Sequence, residues 1–228
     1  MAELISVSLL GAFLYLDTTI AFQMLVSQPI IAGTIIGWFS GNIELGLHIG
    51  FLLQLLWVGN LPVGAASVPA GNIGSIVAVA MAILLDEKFP GYSNLIILLS
   101  VLYGVGLSYL GSEMVTLIRN WNVTLLNYAF RKAEEGQLGI LWRLNLLSLI
   151  SNVAIFFVFI FITLYIGYNL SGKFVSSVPV IFNEYAKYTE WAVLGAGAGL
   201  VLPLYKSKNS QLVLLIGGII GMIIFYLT

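Results

Sequence analysis

Runs of apolar residues alternate along this chain with short breaks of charge, proline and Asn/Gly clusters. A hydrocarbon core about 30 Å thick takes roughly 20 apolar residues as a straight helix, so runs of that length mark candidate spans. They fall at 4–26, 93–112, 143–168 and 210–227, with 188–204 slightly shorter and ended by Pro203 and Lys206. Between Gln28 and Leu85 the pattern changes. Apolar pieces there are broken by Gly33, Gly37, Gly41, Gly46 and Gly50, then by Gly59-Asn60-Leu61-Pro62-Val63-Gly64. The pattern predicts an all-α polytopic membrane protein, a transmembrane helix bundle with broken or re-entrant segments, forming one membrane domain over 1–228.

Backbone amides at membrane depth must be satisfied, so a Gly/Pro/Asn-rich break is tolerated there only against protein or a water-filled cavity. Short, interrupted hydrophobic segments are also where transporters build substrate sites, from half-helix ends and unwound backbone. Residues 59–75, inside the interrupted region 29–85, carry that signal. A plain turn outside the membrane is the alternative, and the extension to Ala70-Gly71-Asn72 favours re-entrance. Pro62, Gly64 and Pro69 are the expected hinge positions of this segment.

Composition narrows the chemistry. With 60% hydrophobic and 8% charged residues and a mean hydropathy of +1.02, the chain is not an ordinary soluble domain. A net charge of -1 offers no basic face for nucleic acid. The absence of cysteine excludes disulfides, thiolate nucleophiles and CxxC zinc sites, and a single histidine, His48, cannot build a His-rich metal centre. No metal or cofactor is expected. Neither a Walker A loop, GxSxG, HExxH nor a paired His/Cys phosphoacceptor occurs, so no catalytic residue is assigned and the chain is expected to move or bind something. The first 25 residues carry Glu3 and Asp17 without a basic leader, which reads as a retained helix.

Basic residues orient the spans. Residues 112–143 hold Arg119, Arg131, Lys132 and Arg143, predicting a cytoplasmic amphipathic loop, with 169–187 outside and Lys206 and Lys208 inside. Within that loop Trp121–Gly136 reads as an interfacial amphipathic helix.

Ionisable or polar groups inside apolar runs are functional candidates by default, because each is costly there. Asp17 is expected near the middle of the first helix, far from either end, able to bind sugar hydroxyls or a cation, or to be capped by its Thr neighbours. Glu44 follows Gly41-Asn42, where a carboxylate suits a helix N-terminus. His48 lies one turn further, within i, i+4 reach of Glu44. Gln54 lies deeper in the same run. Asn60, Asn72, Ser67 and Ser75 bring amides and hydroxyls to the interrupted segment, an inventory that suits an uncharged polyhydroxy ligand. The series Gly33, Gly37, Gly41 and Gly46, Gly50 gives smooth faces for close packing, as do the later glycines, and this surface suggests contact with another membrane subunit or another copy of the chain.

Ser27-Gln28-Pro29-Ile30-Ile31-Ala32-Gly33, Gly41-Asn42-Ile43-Glu44-Leu45-Gly46, Gln54-Leu55-Leu56-Trp57-Val58-Gly59 and Leu61-Pro62-Val63-Gly64-Ala65-Ala66 through Pro69 together resemble one family. It is the membrane IIC subunit of the mannose/fructose/sorbose-type bacterial sugar phosphotransferase system. The match is densest over residues 15–85, and Arg131-Lys132-Ala133-Glu134-Glu135-Gly136 before a long apolar helix is similar to the family's second half. The resemblance implies a multi-pass subunit of the bacterial inner membrane. It would pair with a IID membrane subunit in a higher oligomer and present a hexose or amino sugar for phosphorylation by cytoplasmic IIA and IIB partners. It carries over Asp17, Gln54, Asn60, Ser67 and Asn72 as sugar contacts. The family often has Arg where this chain has Gln28, Glu where it has Gln54, and Pro-Asp or Pro-Asn where it reads Pro69-Ala70, departures that bear on which sugar is bound.

Two other classes are open on the residues alone. In an ion-coupled secondary transporter or channel, Asp17, Glu44 and His48 would bind a proton or cation. A non-transporting membrane scaffold or receptor would bind no sugar.

Overall fold

The computed structural model describes residues 1–19, 21, 23–59 and 69–202, with 207, 209, 212, 213, 216, 217 and 219 beyond them. Among the described residues the regular structure is entirely helical. Most of the predicted run 210–227, the hinge positions Pro62 and Gly64 and the candidate contacts Asn60 and Ser67 lie outside the described residues.

Helix α1 spans Ala2–Thr19 and ends well before the predicted end of its apolar run. The chain then turns through two non-glycine residues in the left-handed region, Gln23 (φ 52°) and Leu25 (φ 65°). Helix α2, Pro29–Phe39, starts with proline at its first turn, where the missing N–H costs nothing. Helix α3, Ile43–Trp57, returns antiparallel after Gly41 (φ +81°), which only glycine adopts freely, and the Asn42 side chain accepts from Leu45 N at 3.1 Å as its cap.

The predicted glycine faces are what hold α2 and α3 together. A Cβ on Gly33 would lie 2.6 Å from the Gly46 carbonyl oxygen, and one on Gly50 would lie 2.5 Å from that of Pro29, so the two backbones touch. At 11 and 15 residues, α2 and α3 are about 16 and 22 Å long, each short of a bilayer core. They form a close-packed antiparallel hairpin.

Helix α4, Gly71–Lys88, is the centre of the molecule. Every residue from Ile73 to Leu85 is buried, and α1, α2, α3, α5 and α6 all pack on it. The sequence pattern groups this stretch with the broken pieces; the structure makes it one continuous helix. Small residues permit the enclosure, since a Cβ on Gly74 would collide with the Gly104 carbonyl of α5.

Helices α5 (Ser93–Glu134) and α6 (Leu141–Ser177) form a long antiparallel hairpin. The segment 112–143 is therefore not a loop, and Trp121–Glu134 continues α5 without a break instead of forming a separate interfacial helix. It stays helical because α6 supplies partners. Trp121 Nε1 donates to Ser151 Oγ (2.9 Å), Ser148 Oγ to Asn122 Oδ1 (2.9 Å), and Asn152 Nδ2 to Asn122 Oδ1 (3.2 Å). Gly136 (φ +75°) ends α5, its N–H bonding the Ala133 carbonyl while that of Gln137 reaches Lys132. At this tip Lys132 donates to Glu135 at 2.7 Å, a bond that holds the ammonium's pKa above its usual value. A 3-10 turn, Leu138–Ile140, leads into α6.

The short α7 (Ile181–Ala186) and then α8 (Thr189–Val201) complete the described chain. Helix α8 lies on α3, where a Cβ on Gly197 would meet Leu55 Cβ at 2.8 Å. Large apolar side chains such as Phe13, Leu110, Ile150, Val158 and Ile166 face outward, an exposure that suits lipid or another membrane protein.

Candidate functional site

The polar candidates gather where α1 ends, α2 begins, α3 ends and α4 begins. Asp17 is not mid-helix as the length of its apolar run predicts; α1 stops at Thr19, which puts it in the last turn, only 5% exposed. Both of its carboxylate oxygens are engaged. Oδ1 accepts from the Met24 N–H at 2.6 Å, and Oδ2 accepts from the Ser27 N–H at 3.2 Å and the Ser27 hydroxyl at 3.4 Å. Met24 lies between the two left-handed residues, so the carboxylate pins the turn at its strained point. A carboxylate at a helix C-terminus is disfavoured by the dipole; charge-assisted bonds to backbone donors leading into α2 offset that.

Asn72, in the first turn of α4, joins the same cluster. Its Nδ2 donates to Ser27 Oγ at 3.2 Å and to Thr18 Oγ1 at 3.4 Å. Beside it, Gln54 on α3 donates through Nε2 to Gln28 Oε1 at 3.2 Å, and its Oε1 accepts a longer 3.5 Å bond from the Ile30 N–H. Trp57 lies one turn beyond Gln54 on the same face of α3 and rests on Gly71, where a Cβ would come within 2.5 Å of the indole. Three contacts thus close a ring: Ser27 to Asn72, Gln28 to Gln54, Trp57 to Gly71. The ring joins the end of α3 to the start of α4. Pro69 leads into α4, its carbonyl accepting from Gly71 N, while Ala70 N is tied to the Ser108 carbonyl of α5, both at 2.8 Å.

The structure brings together Asp17, Gln54 and Asn72. It does not bring Glu44 and His48 to them. Glu44 is exposed in the first turn of α3, whose cap is Asn42. His48 faces α8, its Nε2 lying 3.2 Å from Glu190 Oε1, so its partner is not Glu44. Thr18, Ser27, Gln28 and Trp57 were not singled out as contacts on the residues alone. The signal for two of them was present, since Ser27-Gln28 directly precedes a proline at a helix start.

Comparison with known proteins places the whole chain. A family model described as "PTS system sorbose-specific iic component" matches residues 1–227. The sorbose-specific EIIC component of the phosphotransferase system of Klebsiella pneumoniae is 21% identical over 182 residues, covering 79% of this chain and 65% of that protein. The chain thus spans 65% of that relative's length. Among solved structures, one described only as a membrane protein superposes with a TM-score of 0.71 at 18% identity, covering 100% of this chain and 94% of the other. A second, from a complex of the mannose transporter ManYZ with microcin E492, gives 0.59 at 18% identity, covering 99% and 92%. The fold is that of an all-α polytopic membrane protein, a helix bundle with broken segments.

Proposed function

Because the chain belongs to the family of sorbose-specific IIC components of the sugar phosphotransferase system, we propose that it is the sugar-translocating membrane subunit of such a system. It sits as a multi-pass protein in the bacterial inner membrane and acts with a IID membrane subunit in an oligomer. It binds a hexose or amino sugar on the outer side and presents it inward. Phosphoryl transfer belongs to IIA and IIB partners; this subunit positions the sugar and supplies no phosphoacceptor.

The observation that carries this reading is the ring of contacts that joins the end of α3 to the start of α4. Neutral amides and hydroxyls at converging helix ends, enclosed by apolar helices, fit a polyhydroxy ligand that is bound and released. In this reading Asn72, Gln54, Asn60 and Ser67 address sugar hydroxyls. Asp17 acts through them, since its oxygens hold the α1–α2 turn and Ser27. A carboxylate occupied by three donors is also a poor carrier of a travelling proton or cation, which weighs against the ion-coupled reading. Pro62, Gly64 and Pro69 serve as the hinge of the broken segment, and residues 1–228 work as one membrane domain.

The test is uptake of a panel of labelled hexoses and amino sugars in cells expressing this chain with its cognate partners, with and without a working phosphoenolpyruvate relay. Accumulation as sugar phosphate, lost when the relay is broken, is expected. Accumulation of free sugar that collapses with an uncoupler would replace the proposal with ion-coupled transport.

A further inference from the structure

The ring that joins the end of α3 to the start of α4 leaves two hydrogen-bonding atoms unused. Trp57 Nε1 and Ser75 Oγ are both sealed from solvent and have no hydrogen-bond partner, and the Ser75 residue is only 1% exposed. The two atoms differ in how much they say. A helical serine can turn its hydroxyl to a carbonyl one turn back, as Ser108 and Ser112 do at 2.6 Å, and Ser8 and Ser100 are unpaired within apolar surroundings, so Ser75 alone would carry nothing. An indole N–H is a donor only and has no such local recourse. Buried donors are nearly always paired in native proteins, so an unpaired one beside a proposed ligand site points to an acceptor that arrives with the ligand.

Position supports the same reading. The indole of Trp57 rests on Gly71, at the very start of α4. Ser75 stands one turn along, i+4 from Gly71 and i+3 from Asn72, so its hydroxyl shares the helix face that links the indole to the Asn72 amide. Asn72 itself is tied to Ser27 and Thr18, which fixes its orientation. Helix α4 has no side-chain cap, and its first backbone N–H groups are taken locally, Gly71 by the Pro69 carbonyl and Ile73 and Gly74 by that of Ala70, so the indole and the Ser75 hydroxyl are the unused donors on this face.

We propose that Trp57 Nε1 and Ser75 Oγ donate hydrogen bonds to hydroxyl oxygens of the transported sugar, with the Trp57 N–H discriminating among sugars by one particular hydroxyl. This rests on the sugar-transport reading above. A site built to bond one hydroxyl rejects the analogue that lacks it, because its own donor is then left unpaired.

The experiment uses the full chain with its membrane and cytoplasmic partners in cells. Uptake KM is measured for the preferred sugar and its monodeoxy analogues in wild type, Trp57→Phe and Ser75→Ala. Trp57→Phe keeps an aromatic ring against Gly71 and removes the N–H together with part of the indole's bulk, so the comparison across deoxy analogues, not KM for one sugar, reports the lost donor. It is expected to raise KM for the preferred sugar about tenfold and to leave KM for one deoxy analogue unchanged, the loss of a single buried hydrogen bond. Ser75→Ala is expected to lose its penalty on a different analogue, and it keeps the proposal testable if Trp57→Phe does not accumulate in the membrane. Equal KM in wild type and both variants would overturn the assignment. So would a penalty uniform across all analogues with a lowered Tm, the signature of a water-bridged or purely packing role. If wild type accumulates no sugar phosphate from any sugar, the transport reading itself fails and this inference falls with it, an outcome distinct from a functioning wild type with indifferent variants.

Discussion

Gln54 reaches across the α2–α3 hairpin to Gln28, its Nε2 donating to Oε1 at 3.2 Å. The family pattern that the chain resembles often has Glu at the first position and Arg at the second, so the two departures are partners in space. Exchanging both ions for amides keeps the contact and removes two charges from a half-buried site, avoiding a desolvation penalty.

Restoring one charge without the other is expected to be the worst combination. Gln54→Glu should lower stability by about 1 to 3 kcal/mol, and adding Gln28→Arg should recover most of that. Thermal unfolding of the four-member cycle in detergent measures the coupling. Additive effects would mean the pair does not interact.

Asp17→Asn is expected to be destabilising by about 1 to 3 kcal/mol, because an amide presents a donor to atoms that already donate. The turn it pins holds Leu25 at φ 65°, a conformation costing a non-glycine residue roughly 1 to 2 kcal/mol. Leu25→Gly should therefore rescue part of the Asp17→Asn loss in both melting temperature and sugar uptake. A Leu25→Gly background that leaves the defect unchanged would disconnect the carboxylate from the turn.

Gly46→Val is expected to part α2 from α3, since its Cβ would enter the space of the Gly33 carbonyl and the Gly37 backbone. Gly195→Val, at a glycine with no atom within 4 Å of an added Cβ, is the control and should be tolerated. Yield of folded protein after membrane extraction distinguishes the two.

In the α5–α6 hairpin, Asn152→Ala should leave Asn122 without its 3.2 Å donor and cost about 1 kcal/mol or more. Asn122→Ala should cost at least as much, because Ser148 Oγ then loses its 2.9 Å acceptor as well, although Asn152 Nδ2 keeps the Ser148 carbonyl at 2.6 Å. Losses that simply add in the double variant, followed by thermal unfolding, would show that the cross-helix bond contributes nothing.

Much of this was legible in the residues. Glycines spaced four apart from Gly33 to Gly41 and from Gly46 to Gly50 marked faces for close packing, though not that the two faces meet each other, and the Gly/Pro/Asn-rich stretch from Gly59 marked an interruption between helices. Three things were hidden for identifiable reasons. The 4–26 run is long enough for one straight span, and nothing in its periodicity marks the turn after Thr19; that turn depends on a carboxylate meeting amides seven and ten residues on. Helix α4 is apolar all round because it is enclosed all round, so it shows no boundary against its broken neighbours. The charges of 113–134 suggested a loop, yet helical continuity there comes from Ser148, Ser151 and Asn152 on α6, partners that local sequence cannot reveal.

The pairing of that hairpin sets Asn122 against Asn152 and Tyr103 against the Thr163 carbonyl. In this register the apolar run of α5, 93–112, stands beside about 158–177 of α6, so it overlaps the apolar run of α6, 143–168, only over the last part of that run, whose first part stands beside the more charged half of α5. The two hydrophobic girdles are staggered by about a dozen residues, about 18 Å along the axis. A flat slab of lipid centred on one helix is off-centre for the other, so the hairpin must lean, or the bilayer must pucker around it.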